Sequence, residues 1–204
     1  MRPDMELFEA WKAGGTSAGE ELFERHFEAI RRFFLNKVDA EVEELMQQTF
    51  VRCVEGKERF EGRSSFRTYL FAVAHNVLRE FLRKKRRDGR IDFGADSVAD
   101  LGPGASTFMG EKREQRALML ALRKIPIDAQ VALELYYWEQ LTGPQLGEVL
   151  GVPENTARSR VRRAKEALLR VLEEVTDSAE VLQSTTGDLD GWASSVRALL
   201  PNRK

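Results

Sequence analysis

A chain of 204 residues, at about 150 residues per domain, fits one large domain or two small ones. Its 32 basic and 33 acidic residues leave a net charge of −1, so no uniform field draws in a polyanion, and 32 % charged against 42 % apolar residues favours small domains over one thick core. One cysteine and two histidines exclude a four-ligand zinc site and a disulfide, no apolar run reaches the ~20 residues of a membrane span, and the N-terminus lacks a signal-peptide core.

Residues 7–13 carry a helical apolar period. Residues 15–19, Gly-Thr-Ser-Ala-Gly, fit the G-x-S-x-G nucleophile elbow in letters only. That elbow needs a preceding strand and a later triad histidine, whereas a helical pattern precedes it and only His26 and His75 follow, both on helical segments. Ser17, three residues before Glu20 and just ahead of an apolar-periodic run, reads instead as a capping box. Leu22, His26/Phe27, Ile30, Phe33/Phe34 and Val38 then recur at helical spacing. A next helix carries Val42, Leu45/Met46, Thr49/Phe50 and Cys53, with Cys53 on its core face. Another, starting at Ser64 or Ser65, carries Phe66, Tyr69/Leu70, Val73, Val77 and Phe81. Together these enclose one small core.

Charge is segregated along the chain. Arg79, Arg83, Lys84, Lys85, Arg86, Arg87 and Arg90 form a basic run, and an acidic, glycine-rich stretch without helical period follows it to about residue 112. This stretch, with Gly102-Pro103-Gly104, reads as a flexible linker. Beyond it, Leu118, Leu122 and Ile125 stop at Pro126, and the apolar period restarts from Val131 to Trp138. Thr142 and Gln145 then form a capping box, Gly151 is a left-handed stop, and Val152-Pro153 makes a turn. The helix that follows buries Ala157, Val161, Ala164 and Leu168. A short helix, a tight glycine turn and a longer basic helix make a helix-turn-helix.

On that last helix Asn155, Arg158, Ser159, Arg162 and Arg163 share the outward stripe. Arginine suits guanine edges and phosphates, and asparagine and serine reach base edges or backbone, so the stripe points to a major groove. The basic run, preceded by Phe60, Phe66, Tyr69, Phe71 and Asn76, is the kind of track that holds a single strand by stacking and phosphate contacts. Core packing accounts for most of those aromatics equally well.

The two blocks resemble the extracytoplasmic-function (ECF) sigma factors of bacterial RNA polymerase, within the sigma-70 family. Glu44-Leu45-Met46-Gln47-Gln48-Thr49-Phe50 is similar to the family's D-L-V-Q-E-T-F in region two, with Gln48 in place of Glu. FEGRSSFRTYLFAVAHNVLREFLRKKRR, residues 60–87, is similar to F-x-G-x-x-x-F-x-x-W-L-x-x-I-A-x-N-x-x-x-D-x-L-R-+-+, with Tyr69 at the Trp. GVPENTARSRVRRAK, within 141–172, resembles the region-four G-V-P-x-G-T-V-+-S-R-x-x-R-A-R, with Asn155 at a Gly and Ala157 at a β-branched residue. Pro144, Gln145 and Gly147 depart from the family in the helix before it.

The resemblance implies an all-α chain of two small helical domains joined by a flexible linker. Residues 1–87 would be a region-two bundle of three or four helices, 88–112 the acidic linker, 113–175 the region-four helix-turn-helix, and 176–204 a C-terminal helical extension. Glu44, Gln47 and Gln48 would dock on the clamp of the polymerase largest subunit, with region four at the flap. Phe60, Ser65, Asn76, Arg79, Arg83, Lys84, Arg86 and Arg87 would take the opened −10 element. Asn155, Thr156, Arg158, Ser159, Arg162, Arg163 and Lys165 would read the −35 duplex. The resemblance also implies no catalysis, no metal and no cofactor, a monomer when free, a cytoplasmic location in bacteria, and control by an anti-sigma factor. The other open reading is a free-standing helix-turn-helix regulator that binds duplex DNA without polymerase. In the extension, Leu189, Trp192, Val196 and Leu199/Leu200 form one helical stripe after Asp188, a candidate N-cap. Such a helix is marginal alone and has the makings of a reversible latch.

Overall fold

The structure, a computed structural model, describes residues 2–38, 40–86, 90–101 and 113–175. The linker's Gly-Pro-Gly, Arg87 and the extension from residue 176, with its latch and Asp188 cap, lie outside the described residues. The described elements are helical, with one isolated antiparallel bridge between Ser97 and Pro126.

Four helices build the N-terminal bundle: α1 (Asp4–Lys12), α2 (Thr16–Leu35), α3 (Val42–Gly56) and α4 (Phe66–Lys85). Leu7, Phe8, Leu22, Ile30, Phe34, Leu45, Phe66 and Leu70 are fully buried in its core. Helix α1 turns back on α2 through Gly14, whose φ of +104° is left-handed, and Gly19 packs against Trp11. A Cβ on Gly19 would stand 2.5 Å from Trp11 Cδ1, so only glycine lets the two helices approach this closely. This tight reversal starts α2 at Thr16, with Gly15 as the N-cap and no side-chain cap. Ser17 therefore lies inside the first turn, and the capping box expected there does not form. Helix α4 starts as the sequence allows, with Ser65 Oγ accepting a hydrogen bond from the Thr68 amide at 3.1 Å.

The C-terminal bundle comprises α5 (Arg113–Lys124), α6 (Ile127–Leu133), α7 (Gly143–Leu150) and α8 (Glu154–Val175). Pro126 separates α5 from α6, and α6 widens into a π-turn over Glu134–Trp138. At the start of α7 the Thr142 amide and hydroxyl both donate to Gln145 Oε1 at 2.9 Å, and Gly151 ends the helix at φ 65°. Gly147 is where α7 meets the next turn: a Cβ there would lie 2.8 Å from the Val152 carbonyl oxygen. The helix-forming cost of this glycine is what permits the tight turn into α8.

The two bundles share a core. The apolar cluster of the first runs without a break through Phe93 and Val98 into Ile127, Val131, Leu135, Leu146, Val149 and Ala157. A second cluster, including Leu118, Leu122, Trp138, Ala164, Leu168 and Leu172, holds α5 to α8. A polar seam borders the shared core. Lys37 pairs with Glu134, Arg32 (3.1 Å) and Arg67 (2.7 Å) both hold Glu139, and Arg79 reaches Asp128 at 3.1 Å. His75, buried in α4, has Nδ1 at 3.2 Å from the Val149 carbonyl oxygen of α7. Over 91–101 the acidic linker lies against the bundles, ending in a 3-10 turn at Ala99–Leu101. Its reading as a flexible spacer gives way there to a packed segment, because Phe93 and Val98 have apolar neighbours to cover them.

Two outcomes follow. Gly147→Ala should lower stability by about 1–3 kcal/mol, since the clash with the turn outweighs the gain in helix propensity; thermal melting of the variant against the parent checks this. Burial pushes His75 down to about 4, with Arg79 and Lys37 adding to the effect and Asp128 opposing it. A histidine held neutral in the folded chain and free to protonate near 6.5 when unfolded stabilises the fold above about pH 6.5. That contribution should fade as pH falls from 6.5 towards 4, by about 3 kcal/mol at most. Denaturant midpoints of the parent minus those of His75→Gln, taken from pH 7.5 to 5, should show this slope. Taking the difference separates His75 from Glu134, whose carboxyl burial pushes upward.

Candidate nucleic-acid and polymerase interfaces

Helix α8 is positioned by its second turn of packing. Ala157, Ala164, Leu168 and Leu172 are buried, which turns Asn155, Arg158, Arg162 and Arg163 outward into solvent. Thr156, Ser159 and Lys165 are half-buried at the margins of that face. Arg158 Nε donates to Glu154 Oε1 at 2.8 Å and Arg163 Nε to the Ser159 carbonyl at 3.3 Å, so both guanidinium groups are steered along the helix. Lys165 stands at one edge, beside a small cavity lined by Tyr137, Trp138 and Glu134. The adjacent Arg160 points the other way, 3.6 Å from Asp128.

A second surface lies where α3, the loop before α4, and α4 meet. A cavity of about 650 Å³ opens there, with Phe60, Ser64, Tyr69 and Asn76 on its walls. Asn76 is exposed to it. Phe60 is buried, edge-on to Phe8 at 4.9 Å and stacked on Tyr69 at 4.6 Å, so this aromatic wall is fixed from behind. Gly56 belongs to that wall too, since a Cβ would fall 2.4 Å from Tyr69 Oη. The Ser65 hydroxyl is engaged in capping α4. Arg52 grips Glu80 in a two-pronged pair of 2.8 and 2.6 Å across the rim, and Glu148 of α7 reaches the same cavity.

The basic end of α4 is not an open track. Arg79 pairs with Asp128 and lies over the Phe93 ring, 4.0 Å from its centroid. Arg83 faces the same ring at 5.3 Å, and Arg86 pairs with Asp96. Lys84 is exposed.

The third surface is the outer face of α3. Glu44 and Gln47 are exposed, and Gln48 Nε2 donates to Glu44 Oε1 at 3.0 Å. Val51 and Val54 continue this helix with about half their surface exposed, and Phe27 of α2, 45 % exposed, stacks on Phe50. Phe50 is thus half-buried. Cys53 is fully buried, and burial pushes its thiol up to about 12, so it is held as an apolar core group. Among the described residues no cluster of His, Cys, Asp or Glu has the makings of a metal site.

Sequence patterning missed Phe93, Asp96, Asp128, Glu148 and Arg160. Each meets its partner across a gap in the chain that no local period records. Val51 and Val54 were within reach, as exposed apolar residues four and seven places beyond Gln47 on one helix face.

Residues 22–88 match the Sigma-70 region 2 family and residues 115–168 the Sigma-70, region 4 family. The ECF RNA polymerase sigma factor SigC of Mycobacterium tuberculosis is 35 % identical over 129 residues, 62 % of this chain and 68 % of that one. The RNA polymerase sigma factor CarQ of Myxococcus xanthus is 28 % identical over 170 residues, 82 % of this chain and 96 % of that one. In fold the chain is similar to the sigma factor RpoE of Bartonella quintana, solved in complex with the anti-sigma factor NepR, with a TM-score of 0.58 at 20 % identity over 78 % of this chain and 98 % of that one. Two families in the right order, on a helical fold of the same kind, leave one assignment: the chain belongs to the ECF group of the sigma-70 family, the subunits that join core RNA polymerase and direct it to promoters.

Proposed function

We propose that this sigma factor divides its task among the three surfaces by residue. Glu44, Gln47 and Gln48, flanked by Val51 and Phe27, dock on the polymerase clamp. The α4 surface takes the opened −10 strand, with Asn76 and the Phe60–Tyr69 wall at a base and Arg79, Arg83, Lys84, Arg86 and Arg87 on the backbone. The α8 stripe of Asn155, Thr156, Arg158, Ser159, Arg162, Arg163 and Lys165 reads the −35 duplex. Residues 1–87, 88–112, 113–175 and 176–204 are the functional divisions of the chain. The subunit performs no chemistry itself and works as a monomer in the bacterial cytoplasm. An anti-sigma factor, the kind of partner with which RpoE was solved, is the expected inhibitor.

The observation that carries this reading is the exposed run of Asn155, Arg158, Arg162 and Arg163 on α8, held outward by buried Ala157 and Ala164. Exposed polar residues beside exposed Val51, Val54 and Phe27 support the clamp role, since interfaces combine polar groups with a few apolar side chains that lose water on binding. A walled cavity beside an exposed asparagine supports base capture, where a stack returns about 1–3 kcal/mol per base.

Mixed with sigma-free bacterial core polymerase in size-exclusion chromatography, the full chain should co-elute at one copy per core. Glu44→Lys should weaken that association about tenfold or more, a charge reversal at the centre of the patch. Failure of the parent chain to bind core, with tight binding to duplex DNA alone, would overturn the reading. In footprints of the assembled enzyme, Arg162→Ala should cost about 1–3 kcal/mol at the upstream element and leave core binding unchanged.

A further inference from the structure

Arg79 and Arg83 at the end of α4, and Arg86 just beyond it, already meet groups of the chain itself. Phe93 is 4 % exposed and its ring centroid lies 4.0 Å from the Arg79 guanidinium carbon and 5.3 Å from that of Arg83, both within cation–π reach. Asp96 pairs with Arg86, and the Asp128 carboxylate takes Arg79 with one oxygen and approaches Arg160 of α8 with the other. An unstacked base and two phosphates would make the same kinds of contact with the same three arginines.

This knob is held in place. Its turn closes through the Asp92 amide donating to Asp96 Oδ2 at 2.8 Å and the Ala95 amide to the Asp92 carbonyl at 3.0 Å. At the start of α6 the Ile127 and Asp128 amides donate to the carbonyls of Asp96 (3.0 Å) and Phe93 (2.9 Å). The first amides of a helix have no partner within it, and here the linker supplies two. The linker thus bridges the basic face of one bundle and the helix start of the other.

We infer that residues 91–98, with Asp128, form an internal competitor for single-stranded DNA, so that the arginine end of the −10 surface is covered in the free chain while the Asn76 cavity stays open, and is uncovered when the knob leaves α4. The inference rests on the reading of α4 as the strand-binding helix. Two carboxylates and a ring replace two phosphates and a base. A strand binds only the open fraction of the chain, so its apparent affinity falls by that fraction.

The test uses the full chain and a short fluorescein-labelled single strand of mixed sequence, read by anisotropy at low salt. Asp96→Asn with Asp128→Asn, which preserves shape, should bind the strand about tenfold more tightly than the parent. Phe93→Ala should shift affinity in the same direction. Adding Arg79→Ala and Arg86→Ala to the double variant should abolish the gain. Glu20→Gln with Glu24→Gln, two exposed acids on α2, alters charge equally and should give no gain. Hydrogen exchange gives a readout without DNA: the Ile127 and Asp128 amides should exchange faster in the double variant, and in the parent when the strand is added. Equal affinities for parent and double variant, with Arg79→Ala/Arg86→Ala still weakening the parent, overturn the inference and leave the strand-binding reading intact. If the arginine substitutions change nothing in either background, the strand-binding reading falls and the inference with it.

Discussion

Lys37 and Glu134 lose essentially all contact with water where the two bundles meet, at 0 % and 3 % side-chain exposure, and the arrangement of the whole chain follows from how that cost is met. Each ion alone would be driven to its neutral form; burial pushes Lys37 down and Glu134 up, and their mutual attraction opposes both shifts. Neighbours supply what attraction alone does not. Gln130 donates to Glu134 at 2.9 Å, and Lys37 lies 4.4 Å from the centroid of the Phe33 ring. A well-packed apolar pair would serve stability as well or better. What the ion pair adds is register, because one docking of α6 on α2 satisfies both charges and any other leaves them buried and unpaired.

Asp128 of α6, Glu134 of its π-turn and Glu139 just after it each find a basic partner: Arg79 of α4, Lys37 just after α2, and Arg32 of α2 with Arg67 of α4. This acid row sets the path of the C-terminal bundle. It lays α7 against α4, so that Glu148 reaches the cavity beside Asn76, and it leaves the arginine stripe of α8 facing solvent. One seam therefore leaves the stripe of α8 exposed while it sets Asp128 against Arg79 near the end of α4. Charged groups at a seam regain hydration on separation, which makes a polar interface between bundles easier to part than an apolar one of equal size.

Most of the fold was legible in the sequence because helices announce themselves locally. Apolar spacing located the helices, Thr142 and Gln145 marked the start of α7, and Gly151 its end. Ser17 misled because its local signal was overridden by Gly14 and by Gly19 against Trp11, a contact between two helices. Gly147 looked like a defect in α7 and proves to be the condition for the turn after it. The α8 stripe and the exposed face of α3 were readable for the same reason as the helices: outward residues are the complement of buried ones. Cover over α4 was not readable, since Arg79 and Asp128 are 49 positions apart and Lys37 and Glu134 97. Periodicity says which side of a helix is buried, not what buries it.

Those distant pairs also account for a composition that seems at odds with DNA binding. A chain that contacts two stretches of promoter carries a net charge of −1, and its basic run near residues 79–90 is followed at once by acids. In the closed form Asp96 and Asp128 stand where mobile counterions would otherwise gather around Arg86 and Arg79. Binding DNA at such a site exchanges carboxylates for phosphates and releases few ions, so less of its free energy comes from salt. On the outward stripe of α8 the carboxylate partner is Glu154, at Arg158, and Arg162 and Arg163 keep the larger counterion term. Asp96 and Asp128 are thus two of the 33 acids that bring the sum near zero, and they are set against Arg86 and Arg79.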